Sequence, residues 1–422
     1  MLYALAAVLI NNALDGVIRV LGVLSSALRL LRFALAIIGL AAGQLRMAFV
    51  AIALACRRST QVEQDYPART WRDYKANGDF RKDFRFDRSH MPRLIAALDL
   101  PAMARAGGYT FTADEAISVL LFALATDATL VSINQKFGIK RSRASAIFRW
   151  TVGRMRDRWY KPLFVTDFRR WAPDFAAWAQ AVLDVQGGDD GTSYTGILAF
   201  IDGTLNPTCR LAPWLQRAFY SGYKKQHGLH YQGCLAPNGI LIDLAGPFEG
   251  RHSDRWMLRV SEICEHLRVA LAWAVDRGLG PDDWNTGGMY FFADAGYNRR
   301  MHLHTIFAKS AGQELTAAQT RVNLRLSKAR IANEWIFGRI GSLWPYVASK
   351  TNMALGRGTP GSVFITAALL TNALTCLEGN NTSKYFNLIP PTLENYFGGA
   401  PAAADCPPAW YEVNDKYDQT DA

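Results

Sequence analysis

Two short apolar runs, each closing on an aspartate, constrain this chain most: Phe200-Ile201-Asp202-Gly203-Thr204 and Phe291-Phe292-Ala293-Asp294-Ala295-Gly296-Tyr297. Such runs followed by Asp and Gly read as buried strands with turn formers at their exits. A third segment, Ala329-Arg330-Ile331-Ala332-Asn333-Glu334-Trp335-Ile336-Phe337-Gly338, carries a Glu inside an amphipathic helical pattern. Between the first two runs, His230 to Leu235 and Ile240 to Leu244 suit two further strands joined by a tight Pro237-Asn238-Gly239 hairpin. Arg255 to Ala274 reads as a helix, and Met289 to Phe292 as a strand returning to the first, Ile197 to Ile201.

Three antiparallel strands, a helix and a returning strand describe an α/β, RNase H-like core, a mixed sheet flanked by helices. In that arrangement the fourth strand lies beside the first, so Asp202 and Asp294 meet despite their separation in sequence. The helix of Glu334 has Leu324, Ile331, Trp335 and Phe337 to pack on the sheet, which leaves its carboxylate to face the two aspartates. Carboxylates delivered from two strand ends and one helix are the oxygen donors that a pair of divalent ions needs to cut a phosphodiester bond. Taken singly, each acid has a plainer reading, as a turn residue or a surface charge. The joint arrangement carries the metal reading.

Lys and Arg total 47 against 36 Asp and Glu, a net charge of +11, which favours a polyanionic partner. Half of the 422 residues are hydrophobic in type, so the chain can fill about two or three cores. Six cysteines lie far apart without a C-x-x-C pair, which fits a reducing compartment and excludes a zinc ribbon.

Residues 1–58 form a hydrophobic extension in which apolar positions recur at three-four spacing from Leu14 to Leu45, a long helix. Arg19, Arg29, Arg32 and Arg46 keep any uncharged stretch below the roughly 20 residues of a membrane span. Helical packing or oligomerisation, membrane or organelle targeting, and no role in the mature protein all remain open for it.

Residues 59–183 read as an all-α region with a helix-turn-helix at about 112–160. Thr112-Ala113-Asp114-Glu115 starts one helix, Leu130 to Phe137 forms the next, Gly138 turns, and Arg141 to Arg158 forms the third. Nine Lys or Arg against one acid, Asp157, fall between Lys136 and Lys161. The helix after the turn begins Lys140-Arg141-Ser142-Arg143, and these four are the candidates for DNA contact, against a plain tri-helical core with solvated charges. Residues 184–196 are a linker by composition, 197–378 the catalytic domain, and 379–422 a loop-rich tail expected to remain disordered.

Several longer stretches are recognisable: Tyr220-Ser221-Gly222-Tyr223-Lys224-Lys225-Gln226-His227-Gly228-Leu229, Gly246-Pro247-Phe248-Glu249-Gly250-Arg251-His252-Ser253-Asp254, Ala293-Asp294-Ala295-Gly296-Tyr297, and Ser327-Lys328-Ala329-Arg330 before Glu334. Through them the chain resembles the Harbinger-type (PIF-like) DDE transposases and their domesticated nuclease relatives, from about Phe80 to about Leu377. The resemblance implies that Asp202, Asp294 and Glu334 are a catalytic triad holding two Mg²⁺ or Mn²⁺ ions. It implies cleavage of double-stranded DNA at element ends by water, then attack of the freed 3′-hydroxyl on target DNA. It also implies a nuclear setting and a Myb-like DNA-binding partner protein; a homo-oligomer is a further expectation. The rival class is a catalytically silent DNA-binding protein that kept the fold.

Lys224, Lys225 and His227 precede a strand, Arg251 follows another, and Arg325, Lys328 and Arg330 stand before Glu334, so all are candidates for phosphate contact or, equally, solvated surface charges. Asp254 reads first as the cap of the helix that begins at Arg255, and second as a further metal ligand.

Overall fold

The computed structural model describes residues 69–74, 79–165, 167–187, 194–307, 314–355 and 359–401, without the side chains of 328–334. The hydrophobic extension 1–58 lies outside the described residues, as do 402–422.

The chain enters through α1 (Asp79–Phe84) and α2 (Met91–Ala97), then a hairpin of β1 (Met103–Ala106) and β2 (Tyr109–Thr112). Next come α3 (Ala113–Thr126), α4 (Leu130–Phe137) and α5 (Arg141–Met155). Their ends follow from local chemistry. Thr112 with Glu115 and Thr129 with Ser132 form capping boxes, while Asp127 and Gly138 close the two helices in the left-handed region. The hairpin corrects the all-α expectation for 59–183: Gly107-Gly108 supplies its turn, and Tyr109 Oη bonds Ser142 Oγ at 2.9 Å, on the first turn of α5.

After a π-helical turn over Arg156–Tyr160, α6 (Lys161–Phe164) and α7 (Phe175–Gln186) lead to the sheet. Gln186 ties the two sides of 187–193 together, its amide donating to the Tyr194 carbonyl and accepting from the Tyr194 N–H, both at 2.8 Å. Then follow β3 (Ile197–Pro207), α8 (Pro213–Phe219), β4 (Tyr220–Ser221), β5 (Gln226–Leu235), β6 (Leu241–Glu249), α9 (Asp254–Ser261), α10 (Ile263–Asp276), β7 (Tyr290–Ala293) and β8 (Leu303–Thr305). The chain closes with α11 (Ala317–Leu343), α12 (Pro345–Ala348), α13 (Pro360–Glu378), α14 (Asn381–Tyr385) and α15 (Leu393–Gly398).

The sheet is mixed. β5 pairs antiparallel with β3 and β6, while β7 pairs parallel with β3, and β8 parallel with β7. Both faces of its centre are buried, which is why the two aspartate-closing runs look continuously apolar. Tyr290 and Phe292 of β7 face Val182 of α7 and Val322 and Leu326 of α11, whereas Phe291 and Ala293 join the larger cluster on the other face. That larger cluster also contains Phe84, Leu120 and Ile147, so the helices before the sheet share its core. α13 is long and apolar enough to cross a membrane, but its residues are almost all buried within this fold.

Two expectations fail here. Leu324 is exposed; α11 packs through Val322, Leu326, Ile336 and Ile340, with Trp335 and Phe337 partly buried against the core as expected. The tail is not disordered up to residue 401, because Leu393, Tyr396 and Phe397 are buried and Tyr396 Oη accepts from buried Asn372 at 2.8 Å. Asn380 anchors this segment: its Oδ1 caps α14 at the Ser383 N–H (2.9 Å), and its Nδ2 donates to the Gly239 carbonyl (2.8 Å) in the β5–β6 turn. Asn380→Ala is therefore expected to cost about 2–3 kcal/mol, read as a lowered urea midpoint at unchanged slope, with Asn380→Asp, which keeps the cap, falling between. Equal stability of all three proteins would contradict that anchoring role.

On β8, His304 stacks on Tyr290 of β7 with ring centroids 3.7 Å apart. Burial, then the charge of Arg299, push its imidazole down to about 4. In the unfolded chain an imidazole titrates near about 6.5, so on acidification the unfolded state takes up the proton first. The stability this neutral ring contributes is thus whole above about pH 6.5 and lost progressively toward about pH 4. Urea titrations across that window are expected to show a shallower fall for His304→Phe than for the wild type, and parallel curves would refute the assignment.

Candidate active site

β3 and β7 run side by side with Ile201 opposite Ala293, so the next residue of each chain segment is an aspartate, Asp202 and Asp294. β3 does not end at Asp202 but continues to Pro207, which holds this carboxylate on a paired strand rather than on a loop. Each acid is braced locally: Asp202 Oδ1 accepts from the Gly203 N–H at 2.9 Å, and Asp294 Oδ1 from the Gly296 N–H at 2.8 Å.

A third carboxylate joins them. Asp254 is the first residue of α9, and Ser253, not Asp254, is its cap, accepting from the Trp256 N–H at 3.3 Å. The capping reading of Asp254 is thereby corrected, and its side chain is free to lean on the sheet. It lies against Gly203, where any Cβ would overlap Asp254 Oδ1, and near Gly296, whose Cβ would stand 3.6 Å from Asp254 Oδ2. Burial raises the Asp254 carboxyl above the ordinary aspartate range; His230 and Lys224 oppose that shift and the charge of Asp294 adds to it. His230, whose Nδ1 donates to the His252 carbonyl at 2.9 Å, points Nε2 at Asp254 Oδ1, 3.7 Å away. Burial lowers its imidazole below the ordinary histidine range, against the charge of Asp254, which raises it.

Tyr297 feels the charge of all three acids. Its ring is buried, its hydroxyl has no hydrogen-bond partner among the described residues, and burial, then the charges of Asp254, Asp202 and Asp294, raise it well above the ordinary phenol range. Neither Tyr297 nor His230 stood out in the sequence as a site residue, although Tyr297 closes the Asp-Ala-Gly-Tyr motif. Carboxylates from adjoining elements, with Gly203 and Gly296 leaving room beside their oxygens, are a donor set that fits hard divalent cations.

α11 packs on β3 and carries position 334, but the Glu334 side chain, with those of Lys328 and Arg330, lies outside the described residues. Arg325 is half-buried on the same helix. Among the described residues, the group whose ligand atoms stand within 4.8 Å of one another is a different one, Asp87, His90 and Glu378. There Arg81 is already ion-paired with both Asp87 and Glu378, which supplies the positive charge those carboxylates need.

The candidate DNA contacts separate into two groups. Lys224 and Lys225 are exposed in the turn between β4 and β5, and the His227 ring lies tilted at 60° against Tyr220 with centroids 5.2 Å apart. Arg251 is exposed but pairs with Glu249 at 2.7 Å. On α5, Arg143 pairs with Glu115 at 2.7 Å and donates to the Thr110 carbonyl, and Ser142 is engaged by Tyr109, while Lys140 is exposed and Arg141 half-buried. Lys136, Arg154 and Arg158 also find acids outside their own segment, at Asp83, Asp99 and Asp99. The basic excess from 136 to 161 is therefore partly consumed in holding the fold.

A curled mixed sheet flanked by helices, with acids on its adjoining central strands, fits an RNase H-like DDE core. Residues 201–372 match the model of the family described as DDE superfamily endonuclease, which supports a transposase-type nuclease and implies DNA as its partner. No curated protein and no solved structure matches the chain.

Proposed function

We propose that this chain is a Harbinger-type transposase nuclease that cuts and joins DNA strands at Asp202, Asp294 and Glu334, with Asp254 as a fourth acid of the same site. One observation carries the reading: Asp202 and Asp294 stand one step beyond a matched pair on parallel β3 and β7, inside the segment that matches the endonuclease family. Two Mg²⁺ or Mn²⁺ ions bound there would activate the attacking hydroxyl and stabilise the leaving oxygen. The protein's own part is to fix the donors. The β3–β7 pair places Asp202 and Asp294 side by side, Gly203 admits Asp254, and the charges of all three acids act on the buried Tyr297 phenol.

Lys224, Lys225, Arg251 and Arg325 handle phosphates around the acids, and Lys328 and Arg330 extend that set along α11. Because Arg143 is engaged by Glu115 and the Thr110 carbonyl and Ser142 by Tyr109, the first turn of α5 offers less to the major groove than its sequence suggests. Sequence choice then falls partly to a Myb-like partner in the nucleus, and cutting two element ends calls for paired copies. The test is strand cleavage of duplex DNA carrying the element's ends, with Mg²⁺ or Mn²⁺ and with chelator, the partner supplied. Cleavage that needs the metal supports the reading; tight binding without cleavage returns the chain to the silent DNA-binding class.

A further inference from the structure

The segment between β3 and β5 combines three features that the acid site does not account for. From Gly203 to Ile242 the chain has no Asp or Glu, while Arg210, Arg217, Lys224 and Lys225 fall within it. It also displays two large rings to solvent: Trp214, on the first turn of α8, is 79% exposed, and Tyr223, in the β4–β5 turn, is 88% exposed. Rings of this size ordinarily contribute their area to a core or an interface, and the fold uses neither. Lys224 Nζ stands 5.2 Å from the centroid of the Tyr223 ring, and the charge of the same lysine reaches Asp254. The turn is thus at the rim of the acidic cluster. α8 is tied to the same rim, since the Arg251 N–H donates to the Ala218 carbonyl at 3.1 Å, three residues before Asp254.

We propose that Trp214 and Tyr223, with Lys224 and Lys225, form a binding site for unpaired DNA, the rings stacking on bases that have left the duplex beside the acids. This rests on the nuclease reading and deepens it by naming the form of DNA the site takes. A B-form duplex keeps its base faces in the stack and offers these rings nothing, whereas every unpaired base has a face to stack on, whatever the sequence. The lysines meet the phosphates on either side. A protein partner would also cover exposed rings, but the four cations of this acid-free stretch of chain favour a polyanion.

The experiment measures binding by the full chain, in chelator so that nothing is cut, of a dT oligonucleotide of about 16 nucleotides and of a duplex. Trp214→Ala and Tyr223→Ala are each expected to weaken oligonucleotide binding about 5- to 100-fold and to leave duplex binding within about twofold. Trp214→Phe and Tyr223→Phe retain most of the affinity. Both rings lie outside the core, so the variants keep the wild-type fold, checked by circular dichroism. Unchanged oligonucleotide affinity, or equal losses on both DNAs, overturns the proposal, as does a change of oligomeric state with DNA binding intact, which would assign the rings to a protein contact. A wild type that binds the duplex but not the oligonucleotide refutes this site alone, while one that binds neither refutes the nuclease reading too.

Discussion

Asp294→Asn is expected to lower the single-turnover rate of DNA cleavage on the order of 10³-fold, about 4 kcal/mol of barrier, with duplex affinity equal to or above that of the wild type. The two halves of that expectation have one origin. Asp294 sits half-buried beside Asp254, and its charge is part of what raises the Asp254 carboxyl. An amide keeps the shape and the Gly296 bond acceptor but removes the charge that a divalent cation requires. The same removal lessens repulsion toward the anionic strand. Asp202→Asn should behave alike, since Asp202 is its neighbour across the β3–β7 pair. Should both variants cut at the wild-type rate, the reaction is carried elsewhere and these strands are only a scaffold.

The parts of this site legible in the sequence are those set by local rules. β3 and β7 announce themselves because burial on both faces makes their runs uniformly apolar, and Pro237-Asn238-Gly239 forces the hairpin between β5 and β6. What escaped depended on distant partners. The net charge of α5 was overcounted because a window from 136 to 161 omits Asp83, Asp99 and Glu115, which the fold brings to Lys136, Arg154, Arg158 and Arg143. The C-terminal stretch looked structureless because its prolines and glycines are local, whereas the bonds that order it join Asn380 to Gly239 and Tyr396 to Asn372. Ser253 and Asp254 are both cap formers, and only the backbone geometry says which one caps. That one-residue choice moves Asp254 from the cap to the first turn of α9, where it reaches Gly203 and feels Asp294. The hairpin of β1 and β2 did leave a signal, Gly107-Gly108 between two short runs, in a stretch otherwise read as helices and loops.

The position of Asp254 leads to the second large effect, at a residue with no side chain. A Cβ at Gly203 would overlap Asp254 Oδ1 and come within 3.3 Å of the Met257 methyl, so Gly203→Ala must push the carboxylate out of its place. Misplacing one group by about 1 Å in such a site costs on the order of 10²-fold in rate, and crowding of this kind costs about 1–3 kcal/mol in stability. Asp254→Ala should lose activity to a similar degree for a different reason, the loss of the acid itself. The two changes act on one contact, so their stability effects are not additive. With Asp254 already shortened, Gly203→Ala has little left to collide with, and the double variant should recover most of the stability lost by Gly203→Ala while regaining none of its cleavage. Urea midpoints for the four proteins of this cycle, set beside their single-turnover rates, read both terms at once. Additive destabilisation would mean that Gly203 is required by the strand and not by Asp254, and full activity in Asp254→Ala would remove this carboxylate from the site.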